Sequence, residues 1–134
     1  MPRFLLLTKY AGPDDGTPMA SWDPADITAR LDFVGALNRE LTESGELVDA
    51  LALTGPELAT TVTSDGVGVP LCTDGPFPEA TELLAGYQII DVESKARAIE
   101  IAAQLSAAPG PGGLPIRQPI EVRQVMGIPP GVDL

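Results

Sequence analysis

A chain of 134 residues, 44% hydrophobic and 20% charged, is long enough for one folded domain and too apolar for a disordered tail. Nineteen acidic residues against eight basic ones give a formal charge of −11, a field that repels phosphate backbones and excludes sequence-general nucleic-acid binding. The lone cysteine, Cys72, excludes an internal disulfide framework, and no apolar run approaches the ~20 residues of a membrane span. The opening apolar run, Phe4 to Leu7, is shorter than the ~7–15 residues of a signal-peptide core, so a cytoplasmic protein is expected.

Phe4 to Leu7 reads as a buried first strand, broken by the loop Gly12-Pro13-Asp14-Asp15-Gly16. Asp23-Pro24 marks a helix start: Asp23 is the N-cap, Pro24 takes the first helical position and Asp26 sits near the positive end of the dipole. Ile27, Leu31, Val34, Leu37 and Leu41 are expected to form its apolar stripe, with Gly45 as the stop. Trp22, just before the cap, suits a hydrophobic staple. Leu47 to Leu53 is strand-like. Ala59 to Thr63 and Val67 to Thr73 flank Ser64-Asp65-Gly66 as a hairpin, and Pro70 places the second arm at an edge or bulge.

Glu79 to Ala85 is expected to be a short helix and Gly86 to Val92 a strand. Ser94 can cap a second helix that buries Ala98, Ile99, Ala102 and Leu105 and ends at the Pro/Gly-rich run 107–113. Pro119 to Met126 is the last strand, with Ile120, Val122 and Gln124 on one face and Glu121, Arg123 and Val125 on the other. Residues 126–134 form a loose tail of a single domain, 1–134. This order predicts an α+β, ferredoxin-like fold with two helices on one face of a mainly antiparallel sheet. The other face needs a cover, and a second copy of the chain supplies one in a homodimer.

Thr73-Asp74-Gly75-Pro76-Phe77-Pro78-Glu79-Ala80-Thr81-Glu82 resembles the DGPF-x-E-x-K-E signature of the DGPF branch of the YCII-related family. Gly86-Tyr87 and Asp91 stand where that family has GY-x-I-x-D, and Glu121-Val122-Arg123 is similar to its closing EVRP. The motif blocks span residues 73 to 126. Thr81 replaces the usual lysine and Gln124 the usual proline, so no lysine role carries over. The resemblance implies a ferredoxin-like dimer whose two sheets meet in an α/β barrel. YCII-type relatives are proposed to use a His-Asp pair, and a chain without histidine cannot. Some DGPF relatives are encoded alongside sigma factors of the extracytoplasmic type. The resemblance implies fold and assembly rather than a reaction.

The residues that could carry chemistry are Asp74, Glu79, Glu82, Tyr87, Asp91, Glu121 and Arg123. Arg123 can hold a carboxylate bidentately, and Glu121 lies on its face two residues away. Together they could line a small ligand pocket near the Asp-Gly-Pro-Phe segment, or move a proton. The plainer alternative is that Asp74 caps a turn and Arg123 pairs with Glu79 or Glu82. Without histidine, only hard oxygen-ligand metals would be conceivable, and no EF-hand spacing appears, so no metal and no cofactor are expected. Cys72 has no histidine partner and reads as a small apolar filler. Gly66-Val67-Gly68 and Gly110-Pro111-Gly112-Gly113 lack the context of a nucleotide-binding loop. Three readings follow: a small-molecule-binding or accessory protein, an enzyme using carboxylate acid–base chemistry, and a protein partner of a transcription (sigma) factor.

Overall fold

The computed structural model describes residues 1–9, 21–75 and 83–133. β1 (Arg3–Lys9) is followed by α1 (Pro24–Glu43), β2 (Leu47–Ala52), β3 (Thr60–Thr63), β4 (Leu71–Asp74), β5 (Leu84–Asp91), α2 (Lys95–Ser106) and β6 (Ile120–Gln124). β2, β5, β1 and β6 form a four-stranded sheet in that order, with every pairing antiparallel. Both helices pack on one face of it, through Leu37 and Leu41 of α1 and Ala98, Ile101 and Ala102 of α2. This is the ferredoxin-like α+β arrangement that the element order predicts, with the β3–β4 hairpin inserted before β5.

The helix ends follow from their capping residues. Asp23 accepts a hydrogen bond from the Ala25 N–H at 3.0 Å, satisfying an N-terminal amide that the helix itself leaves free. At the other end Gly45 adopts a φ of +79°, and the N–H groups of Gly45 and Glu46 return to the carbonyls of Thr42 and Leu41. That doubly bonded stop requires the left-handed conformation that glycine adopts cheaply. Ser94 caps α2 through the Arg97 N–H. Beyond α2, the Gly112 N–H donates to Asp26, tying the Pro/Gly-rich loop back to the start of α1.

The helical phase differs from the expected one in two places. Leu31 is 57% exposed, and the inward positions of α1 run Ile27, Arg30, Val34, Leu37 and Leu41. Spacings of three and four alternate along that row, and Leu31 falls one residue off it. In α2 Ile99 is 51% exposed, and Ile101 takes the buried place instead. Three further expectations are corrected. β4 begins at Leu71 rather than Val67, because Asp65 Oδ1 accepts the N–H groups of Val67 and Gly68 and holds Pro70 within a wide loop. Leu84 and Ala85 belong to β5 rather than to a helix. Cys72 is exposed on the hairpin, not packed inside. The remainder of the expected 79–85 helix lies outside the described residues.

Alternation along the strands sorts the sheet into two faces. Phe4 and Leu6, Ile90, and Val122 point toward the helices and fill one end of the layer. Leu5 and Leu7, Ile89 and Tyr87, Asp49 and Leu51, and Glu121 and Arg123 point to the opposite face. No helix among the described residues is long and apolar enough to cross a membrane.

Candidate ligand-binding site

Between α1 and the sheet, at the end opposite the Phe4 and Ile90 packing, lies a cavity of ≈ 290 Å³. It exists because the helix-facing strand positions change character along the sheet. Where one end has Phe4, Leu6 and Ile90, the other has Thr8, Ala50, Ala52, Gly86 and Gln88. Thr8, Ala50, Ala52 and Gly86 are too small to reach α1, and of the five only Gln88 does so, through its hydrogen bond to Asn38. Gly86 is small for a separate reason: a Cβ there would come within 2.8 Å of the Leu51 carbonyl oxygen on the neighbouring strand. Val34, Leu105 and Ile120 supply most of the remaining apolar wall.

The polar groups of the wall are few. Arg30 donates through Nη2 to Gln118 Oε1 at 2.7 Å, while its Nη1 is buried without a hydrogen-bond partner. Gln88 is only 7% exposed; its Nε2 donates to Asn38 Oδ1 at 2.8 Å, and its Oε1 is buried without a partner. Gln118 is held from behind: the Ser106 hydroxyl donates to its carbonyl, and the Arg117 N–H donates to the Ser106 carbonyl. Arg117 adopts a φ of +59°, a left-handed conformation that costs a non-glycine residue on the order of 1 kcal/mol. The two Ser106 contacts hold that strained turn and set the Gln118 amide against Arg30.

Charge makes Arg30 unusual. Lys9 and Arg97 are the other cations withdrawn from solvent, and each has a carboxylate, Glu121 at 3.5 Å and Glu46 at 2.8 Å. No carboxylate among the described residues lies within ion-pair distance of Arg30, and none lines the cavity. Burial lowers the Arg30 pKa from its ordinary value, yet a guanidinium stays protonated at neutral pH. A chain of net charge −11 thus sets a cation with no carboxylate partner among the described residues against a mostly apolar hollow. An uncompensated, partly desolvated charge is costly, and an incoming anion removes that cost.

The residues singled out in the sequence are dispersed. Tyr87 borders the cavity from β5, but its side chain points to the open sheet face, where its hydroxyl lies 3.5 Å from Asp49. Asp91 lines a second hollow of ≈ 330 Å³ with Met1, Glu46 and Glu93, where it is paired with the N-terminal amine at 3.7 Å and with Arg3 at 3.9 Å. Glu121 and Arg123 pair with each other at 3.5 Å on the open sheet face. Asp74 sits on the β3–β4 hairpin, accepting a hydrogen bond from the Thr60 hydroxyl at 3.1 Å. Glu79 and Glu82 lie outside the described residues. Among the described residues no group of three or more His, Cys, Asp or Glu side chains is arranged to hold a metal ion.

Arg30, Asn38, Gln88 and Gln118 escaped the sequence reading, although a signal was present. Arg30 interrupts the apolar row between Ile27 and Val34, and Gln88 shares the strand face of Ile90. A polar residue at an inward position is the informative departure.

The chain is similar to an uncharacterized protein of Rhizobium meliloti (strain 1021), 29% identical over 105 residues that cover 78% of this chain and 84% of that protein. The YCII-related domain model matches residues 19–117, which takes in α1, β2, both hairpin strands, β5, α2 and most of the cavity wall, with Thr8, Gln118 and Ile120 outside it. The chain belongs to the YCII-related domain family.

Proposed function

We propose that this protein is a small-molecule-binding member of the family, acting as a homodimer, with its ligand seated between α1 and the sheet rather than beside Asp74 and Arg123. One observation carries the reading: Arg30 Nη1 and Gln88 Oε1, both buried and both without partners, belong to residues that line the same cavity. Buried polar groups left unpaired are rare in folded proteins, and they concentrate where a ligand or water completes them. The volume is near the lower bound of about 300 Å³ for small-molecule sites, which suits a compact organic ligand.

Support for the dimer comes from the open sheet face. Leu5, Leu7 and Ile89 form an apolar centre, and the Arg3–Asp91, Lys9–Glu121 and Arg123–Glu121 pairs rim it. An apolar patch with a charged rim is how interfaces between subunits are built. We also assign the chain to the DGPF branch, on Asp74-Gly75-Pro76-Phe77 and Glu121-Val122-Arg123, and to the cytoplasm, on its lone cysteine.

A fragment screen by ligand-observed NMR tests the site, run on the parent and on Ala50→Phe, which fills the cavity. Fragments that bind the parent and lose binding to a folded Ala50→Phe support it. Fragments that bind both proteins equally overturn it. Light scattering at micromolar concentration tests the assembly, and a monomer would refute the dimer.

A further inference from the structure

Within that cavity the polar groups are separated in space. Arg30 and Asn38 lie two turns apart on α1, about 12 Å along the helix axis. Arg30 is anchored to Gln118 at one end, and Asn38 to Gln88 at the other. Val34 lies between them on the helix, and Ala50 and Ala52 line the sheet side. The hollow therefore has a cationic end, an apolar middle and an amide end.

We propose that the ligand is an elongated small monocarboxylic acid with a hydrogen-bond donor at its far end: Arg30 Nη1 takes the carboxylate and Gln88 Oε1 accepts from the donor. The inference rests on the cavity being the binding site. The anion is a monoanion because the wall offers one guanidinium, of which Nη2 is already committed to Gln118 at 2.7 Å. A phosphate dianion would meet one cation inside a protein of net charge −11. The middle is apolar because the Val34, Ala50 and Ala52 side chains offer no hydrogen bond. The distal group is a donor because the unpartnered Gln88 atom is Oε1, a carbonyl oxygen that only accepts.

The test is titration calorimetry with p-hydroxyphenylacetate and p-hydroxyphenylpropionate, each against its primary amide and its p-methoxy analogue, with inorganic phosphate as a further probe. The acids are expected to bind at least roughly tenfold more tightly than their amides, the discrimination of one charge-assisted hydrogen bond. Arg30→Met should abolish that preference while the amides keep their affinity; Arg30→Lys should restore part of it. The methoxy analogues should bind several-fold more weakly than the phenols. Amides that bind as tightly as acids sink the carboxylate assignment and leave the cavity standing. Methoxy analogues that match the phenols sink the distal donor, and phosphate that binds as tightly as the acids sinks the monoanion. If none of the acids or amides binds the folded parent, the cavity itself is refuted as the site.

Discussion

Replacing Gln88 by leucine should stabilise the protein while disabling its site. Gln88 sits on β5 facing the helices, 7% exposed, in a strand whose next inward residue is the fully buried Ile90. The variant removes the orphaned Oε1, and leaving such an acceptor buried costs about 1–3 kcal/mol. It also removes the hydrogen bond to Asn38, worth about 0.5–1.5 kcal/mol net. Asn38 itself is only half-buried and lines the cavity, so its freed oxygen can reach water. Leucine is close in volume to glutamine and introduces no new polar group. The difference favours the variant by about 1 kcal/mol, as when a strained functional site is relaxed. Urea unfolding measures this as a raised midpoint at unchanged slope. A loss of more than about 1 kcal/mol would refute the reasoning, since it would mean that Gln88 Oε1 is fully satisfied in solution and its network is structural.

Gly86→Ala should cost about 1–3 kcal/mol, because the new Cβ meets the Leu51 backbone oxygen at 2.8 Å and cannot turn aside; an unchanged urea midpoint would show that β2 yields freely there. Arg97 binds Glu46 through two hydrogen bonds, 2.8 Å from Nε and 2.9 Å from Nη2, and holds that carboxyl below the usual carboxylate range. With the folded pKa depressed, the pair's stabilisation is present above the unfolded value of about 4.3 and is lost as pH falls through the folded one. Glu46→Gln should therefore be less stable than the parent by about 0.5–1 kcal/mol at neutral pH, with the gap closing below about pH 4; a gap independent of pH would contradict this. Asp74→Asn should shift stability by no more than about 0.5 kcal/mol and leave ligand binding intact, because its bond to Thr60 is exposed; lost binding would return the site to the hairpin.

What the sequence made legible was mostly local chemistry. Asp23-Pro24 and Gly45 bound α1 because capping depends on a few adjacent residues, and the two faces of β6 follow from alternation alone. Leu31 and Ile99 show where that stops: both are large and apolar, yet each lies one residue away from the row the sheet selects. Apolar residues on a surface are ordinary, so composition could not choose between neighbouring phases. The hairpin was visible in Asp65-Gly66, but its loop length was not, because the Asp65 carboxylate takes two backbone N–H groups beyond the turn.

The candidate site was less legible for a different reason. Tyr87, Asp91, Glu121 and Arg123 do share one sheet face, as strand spacing implies, but Asp74 stands on a separate hairpin. The cavity arises from a run of small residues on three strands, Thr8, Ala50, Ala52 and Gly86, whose adjacency depends on strand order. Arg30 and Gln88 become unusual only once that order has set them against the cavity. Neither is notable as a residue type.

The most direct test of the account is a crystal structure of the protein soaked with p-hydroxyphenylacetate. An acceptor oxygen within about 3.2 Å of Arg30 Nη1 and a donor at similar distance from Gln88 Oε1, in one continuous ligand beneath α1, is the predicted result. A cavity that holds only water, with the acid bound instead beside Asp74 or Arg123, would contradict it.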